Sequence, residues 1–175
     1  MDLSNLEVLP IHKHPEYLKQ CCHLINDEWP RSETARMNSL KSSSDKLPTS
    51  LILITKAKKV IGHCKLTPIP SIPESCYLES VVINKELRGK KLGTFLMKKA
   101  EEYCKNKLSL KTVHLSTKGQ EVFYSKLGYE QCAPASLSVF HDSRHCDLSQ
   151  QNRSLSHLTI SVWAYQDVSC NLDFH

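Results

Sequence analysis

Between Tyr77 and Gly93 the chain carries residue types and a spacing suited to gripping a phosphate. An apolar strand with one acid inside it, Tyr77-Leu78-Glu79-Ser80-Val81-Val82-Ile83, leads to Arg88-Gly89-Lys90-Lys91-Leu92-Gly93. The second segment reads as a helix start, where backbone N–H groups lack internal partners and the dipole is positive, so it can hold a pyrophosphate. Arg88, Lys90 and Lys91 add positive charge, and Gly89 and Gly93 let a ligand approach the backbone. Taken alone, the segment is equally a solvated turn opening a lysine-rich helix. Two further groups have proton-transfer chemistry. Glu79 interrupts an apolar strand, so a buried carboxyl with a raised pKa is expected there. His114, in the strand Lys111–Thr117, titrates near neutrality without special tuning.

The elements that must position these groups follow from periodicity. Leu92, Phe95, Leu96, Ala100 and Tyr103 recur at helical spacing with lysines and glutamates between them, which predicts an amphipathic helix. Lys91 at its start is expected to need no unusual dihedral. Gly128 reads as a helix stop, with Tyr129 opening the next strand. Upstream, Leu6–Ile11 predicts a strand, and Pro15 suits the first turn of a helix striped by Leu18, Cys21, Cys22, Ile25 and Trp29. Pro30 interrupts it before a second helix over Ser32–Ser42. Ser50–Thr55 and Val60–Thr67 predict a hairpin, and His157–Tyr165 a final strand after a polar, mobile stretch from Asp142 to Ser156. The order β-α-α-β-β-β-α-β-α-β-β gives an α/β fold, a mixed central β-sheet with helices on both faces, in a single domain over 1–175.

Composition narrows the function classes. A length of 175 residues with 40% hydrophobic content suits one globular domain. The net charge of +5 is mild and scattered, which favours anionic ligands and argues against nucleic acid. No apolar run is long enough to span a bilayer, so no membrane association is expected. Met1–Asn5 shows no cationic segment leading into an apolar run, so no secretory signal is expected and a cytoplasmic setting is. The eight cysteines include no Cys-x-x-Cys pair and are expected to be reduced, mostly buried thiols. His141, His145 and Cys146 share one polar loop without a fourth ligand, and no metal is expected.

Arg88 and Gly93 match the first and last positions of the Arg/Gln-x-x-Gly-x-Gly/Ala motif of the GNAT acetyltransferase superfamily, with Lys91 where the middle glycine is usual. Phe123-Tyr124 and Gly128-Tyr129 fit its Phe-Tyr-x-x-x-Gly-Tyr signature, so residues from about 75 to 135 resemble that superfamily. The resemblance implies acetyl-CoA as cosubstrate, bound by Val81, Val82, Ile83, Arg88, Gly89, Lys90, Lys91, Leu92, Gly93, Gln120 and Tyr124. Val82 is the expected amide donor to the acetyl carbonyl. It also implies Tyr124 as general acid to the departing sulfur, with His114 or Glu79 taking the proton of the attacking amine. No cysteine sits in a nucleophile setting, so direct attack in a ternary complex is expected.

A longer match, Leu24-Ile25-Asn26-Asp27-Glu28-Trp29-Pro30-Arg31-Ser32 with Arg36-Met37-Asn38-Ser39-Leu40, resembles the branch of N-alpha-acetyltransferases that modify the acidic start of processed actin. That resemblance implies an acidic protein N-terminus as acceptor and leaves open an actin-presenting partner. The implied acceptor site is Trp29, Arg31, Arg36, Asn38 and Ser39, since arginine clasps carboxylates with paired hydrogen bonds. Arg31 and Arg36 are expected to face one another across a loop, and Trp29 to be both core and support for Arg31. Alternatives within the same fold are acetylation of a small amine or lysine side chain, or a non-catalytic binding module.

Overall fold

The computed structural model describes residues 3–132 and 159–163. Asp142–Ser156, His141, His145 and Cys146 lie outside the described residues. The elements are β1 (Leu6–Pro10), α1 (Leu18–Glu28), α2 (Glu33–Lys41), β2 (Thr49–Thr55), β3 (Val60–Pro68), β4 (Ser75–Ile83), α3 (Leu92–Lys107), β5 (Thr112–Ser116), α4 (Glu121–Lys126), β6 (Glu130–Gln131) and β7 (Thr159–Trp163). Their order is the one expected from the sequence. Among the described residues they form one mixed sheet ordered β1-β2-β3-β4-β5-β7-β6, antiparallel from β1 to β4 and parallel beyond.

Strand alternation explains why helices cover both faces. Leu51 and Leu53 point into a core with Leu92, Leu96, Met97 and Ala100 of α3 and Tyr124 of α4. Ile52 and Ile54 point the other way, against Cys21, Cys22, Leu24 and Ile25 of α1 and Leu40 of α2. Trp29 is the C-cap residue of α1 and packs, half-buried, on that second core. Ser32 caps α2 through its hydroxyl to the Ala35 amide.

Two irregularities shape the centre of the sheet. Parallel pairing of β4 with β5 ends at Leu78 and Leu115, so the remainder of β4 is left by its neighbour. In that remainder the register against β3 shifts between the pairs Lys65–Glu79 and His63–Val82, and Ser80 sits at φ +53°. This is a β-bulge, which re-aims backbone groups locally. Gly62 of β3 allows it: a Cβ there would meet the Ile83 Cδ1 at 2.8 Å and the Leu53 Cβ at 3.1 Å.

Candidate active site

The gap opened where β5 leaves β4 is flanked on one side by the start of α3. Gly89 adopts φ +78° with nothing within 4 Å of where a Cβ would stand. Lys91 is the N-cap of α3 and makes no side-chain cap bond, so the first amides of the helix face outward without an internal acceptor. Donors of this kind fit the pyrophosphate of acetyl-CoA. Gly93 has a different reason: a Cβ there would press on the Phe123 ring at 3.4 Å, so its absence lets α4 close on α3.

Lys91 corrects an expectation. It lies at φ 60°, ψ 14°, in the left-handed region, so the backbone here demands what a glycine gives freely. Lys91→Gly should therefore raise unfolding stability, by about 0.5–1 kcal/mol once the looser unfolded chain is subtracted. Urea denaturation of the two proteins checks it; a stability loss on going to glycine sinks the strain argument.

Arg88 does not stand open toward this end of the helix. Its Nη2 pairs with Glu28 Oε2 at 2.8 Å and its Nε donates to the Ile83 carbonyl at 3.1 Å, tying the loop after β4 to the end of α1. Glu28 also draws Lys85 to 3.5 Å. Lys90 is exposed, Leu92 is buried in the core, and Gln120, the N-cap residue of α4, is exposed with no side-chain cap bond.

Tyr124 is 8% exposed on α4, edge-on to Phe123 at 5.0 Å and tilted against Tyr129 at 5.3 Å. Burial, reinforced by the Cys64 thiol, pushes its phenol up to about 12. It therefore stays protonated as a donor at any ordinary pH.

The opposite face of the sheet carries several titratable side chains. His63 is in register with Ile52, Lys65 with Glu79, and Tyr77 with His114. Registered neighbours project to one side, so these residues share the α1/α2 face. His114 is buried, with neither ring nitrogen bonded, and burial lowers its pKa so that it is a neutral imidazole at pH 7. Glu79 departs from expectation. Its side chain is 41% exposed and outside the core, and Lys65 approaches it at 3.9 Å.

Above this face, α2 contributes Arg36 and Ser39. Arg36 Nη2 donates to the Trp29 carbonyl at 2.8 Å and Nε to Asn26 Oδ1 at 3.0 Å, while Asn26 Nδ2 donates to the Arg31 carbonyl at 3.0 Å. The guanidinium thus ties down the turn that Arg31 occupies. Burial first, and then the Arg31 charge, lower the Arg36 pKa. Neither makes an ion pair among the described residues. Ser39 Oγ accepts from Lys65 Nζ at 2.8 Å, and Asn38 is exposed one position earlier.

Sequence reading missed Lys65, Glu28 and His63. Lys65 and Glu28 act through partners distant in sequence, and local patterning carries no sign of them. His63 is 1% exposed and its Nδ1 lies 3.0 Å from the Ser80 carbonyl. The dipeptide Gly62-His63 inside an aliphatic strand was the available signal. Burial pushes the His63 pKa down to about 4, with Lys65 and Arg36 in the same direction and the Ser80 carbonyl opposing. Because the unfolded chain binds that proton near pH 6.5, this contribution to stability is complete above pH 6.5 and is lost as pH falls toward 4. The expected loss is on the order of 3 kcal/mol over that window. Urea midpoints at pH 7, 6, 5 and 4.5 should show it, with a flatter profile for His63→Asn; equal slopes would contradict it.

Comparison with known proteins identifies the architecture. The model of the acetyltransferase (GNAT) family matches residues 18–129. The mouse protein N-alpha-acetyltransferase 80 is 36% identical over 136 residues, which are 74% of this chain and 43% of that protein. This chain therefore spans less than half the length of that relative. Among solved structures, an acetyltransferase of the GNAT family from Staphylococcus aureus superposes with a TM-score of 0.60 at 16% identity, covering 76% of this chain and 89% of that one. An acetyltransferase from Trypanosoma brucei does so at 0.59 and 18%, covering 82% and 99%. At such identities the likeness is one of fold.

Proposed function

The chain belongs to the acetyltransferase (GNAT) family, and from that premise we propose that it transfers acetyl from acetyl-CoA to the α-amino group of an acidic protein N-terminus, processed actin being the foremost candidate. The observation that carries this reading is the exposed Arg31 on a turn that Arg36 ties down through the Trp29 carbonyl and Asn26, with neither guanidinium in an ion pair among the described residues. Cations presented without a carboxylate of their own suit an anionic ligand, and an acidic peptide start supplies one. The similarity to N-alpha-acetyltransferase 80 supports a protein N-terminus as acceptor.

Acetyl-CoA supplies the activated acetyl group, and each residue assigned here acts around it. The amides at the start of α3 bind the diphosphate, with Gly89 giving access to the backbone. Val81, Val82 and Ile83 present backbone groups along the rest of the ligand. Tyr124 holds its proton for the departing sulfur. His114, neutral and unbonded, takes the proton of the attacking amine; Glu79, partly exposed beside Lys65, can do so through water. Trp29 and Asn26 hold Arg31 and Arg36 in place, and Asn38 and Ser39 line the acceptor side. Chain 1–175 acts as one domain in a cytoplasmic setting, a view supported by the buried free thiols Cys21, Cys22, Cys64, Cys76 and Cys104.

The test is acetyl-CoA turnover on peptides that differ only in their first three residues, beside a polyamine and an N-terminally blocked, lysine-containing peptide. Free acidic starts should be preferred by at least roughly tenfold, the value of one charge-assisted contact. Turnover of the polyamine or the blocked peptide instead establishes the small-amine or lysine reading. An absence of acetyl-CoA binding in calorimetry establishes a non-catalytic module.

A further inference from the structure

We propose that His63 is a positioning residue for acyl transfer: its Nδ1–H holds the Ser80 carbonyl and thereby fixes the direction in which the Val81 amide points. This rests on reading the bulge of β4 as the place where the acetyl carbonyl is received.

A carbonyl oxygen only accepts, so the 3.0 Å contact between His63 Nδ1 and Ser80 O requires the proton to be on Nδ1. The Ser80 C=O and the Val81 N–H belong to one planar trans peptide and point in opposite directions. With the carbonyl drawn toward β3, the Val81 amide is turned away from β3. On that side β5 has already departed, its last pair with β4 being Leu78–Leu115. The Val81 amide is left directed into the opening between the strands, in place of the Val82 amide expected from the sequence, because Val82 is paired with His63 on β3. Preorganised backbone donors at such a place act on charge that develops in the transition state, and small misdirection weakens them.

The local sequence is built around this contact. Ser80 holds φ +53°, a conformation that needs outside support in a residue with a side chain. Gly62, immediately before His63, removes the Cβ that would strike Ile83 and Leu53 and would stand 3.3 Å from the Val82 carbonyl, so β3 presses closely on the bulge. His63 Nε2 is buried without a partner. An orphaned acceptor in a core is a cost that leucine or phenylalanine would avoid, so simple packing does not explain the histidine. The bond to Ser80 does.

The experiment compares His63→Leu, which fills space without a donor, with His63→Asn, whose amide nitrogen stands near the position of Nδ1. With the preferred acidic peptide, His63→Leu should lower kcat about tenfold or more with peptide KM and acetyl-CoA affinity within about twofold. His63→Asn should recover kcat to within about threefold of wild type. A folded His63→Leu protein that keeps its kcat overturns the assignment, as does a folded His63→Asn protein that rescues nothing. Should the leucine variant not fold, nitrogen-15 spectra of the wild-type imidazole decide: an Nδ1–H tautomer is expected, and an Nε2–H tautomer overturns the proposal. A wild-type protein inactive on every peptide would instead remove the transfer reading itself, and this role with it.

Discussion

Tyr124→Phe should lower kcat by roughly a hundredfold or more, the usual worth of a positioned proton donor, while acetyl-CoA affinity and stability barely change. The separation is expected because the ring and the hydroxyl do different jobs. The ring fills the core, edge-on to Phe123 and against Tyr129, and phenylalanine preserves those contacts. The forces that set the phenol at about 12 are burial and Cys64, with no hydrogen bond among them. Removing a buried hydroxyl that lacks a strong partner leaves nothing newly orphaned, so the melting temperature should move by no more than a few degrees. The elevated pKa has a second consequence. A phenol near 12 does not titrate below about pH 10, so a basic limb in the pH–rate profile below that belongs to another group, and the limb should persist in the variant. A Tyr124→Phe protein with kcat within threefold of wild type would remove the proton-donor role.

The second large effect divides Arg31 from Arg36. Arg36→Met deletes two charge-assisted hydrogen bonds, to the Trp29 carbonyl and to Asn26 Oδ1, that hold the turn between α1 and α2. The site is half-exposed and water replaces part of what is lost, so the expected cost is about 2 kcal/mol, or roughly 5 °C in melting temperature. Preference for acidic peptides should fall with it, because the turn that presents Arg31 loosens. Arg31→Met removes an exposed side chain with no ion-pair partner among the described residues, so stability should change by less than about 0.5 kcal/mol. Its KM for acidic starts should nevertheless rise about tenfold, with neutral peptides unaffected and the difference shrinking in high salt. Thermal denaturation and peptide kinetics on both variants make the comparison. If Arg31→Met retains the wild-type ratio between acidic and neutral peptides, the two guanidiniums are not the acceptor site.

What the sequence carried unaided was everything encoded by short-range repetition. Leu92, Phe95, Leu96 and Ala100 announce α3 because 3.6 residues per turn put them on one side of any helix, wherever it packs. The hairpin of β2 and β3 and the stop at Gly128 are similarly local, and the element order follows from them. The start of α3 could be read because the glycines and basic residues that precede it are adjacent in the chain.

Tertiary structure decided what depends on partners far along the chain. Glu79 looked buried because its strand neighbours are apolar, yet its exposure is set by the bulge at Ser80 and by the end of pairing with β5. Lys91 looked ordinary because a one-letter code carries no dihedral, and only the fold shows it held at φ 60°. Arg36 meets Asn26 and Trp29 across a turn, Lys65 meets Ser39 across 26 positions, and His63 meets Ser80 across 17. A one-residue change of register would send the strand residues among them, Glu79, Lys65 and His63, to the other side of the sheet. Register is fixed by the packing of the whole sheet against its helices, and that is a property of the assembled molecule.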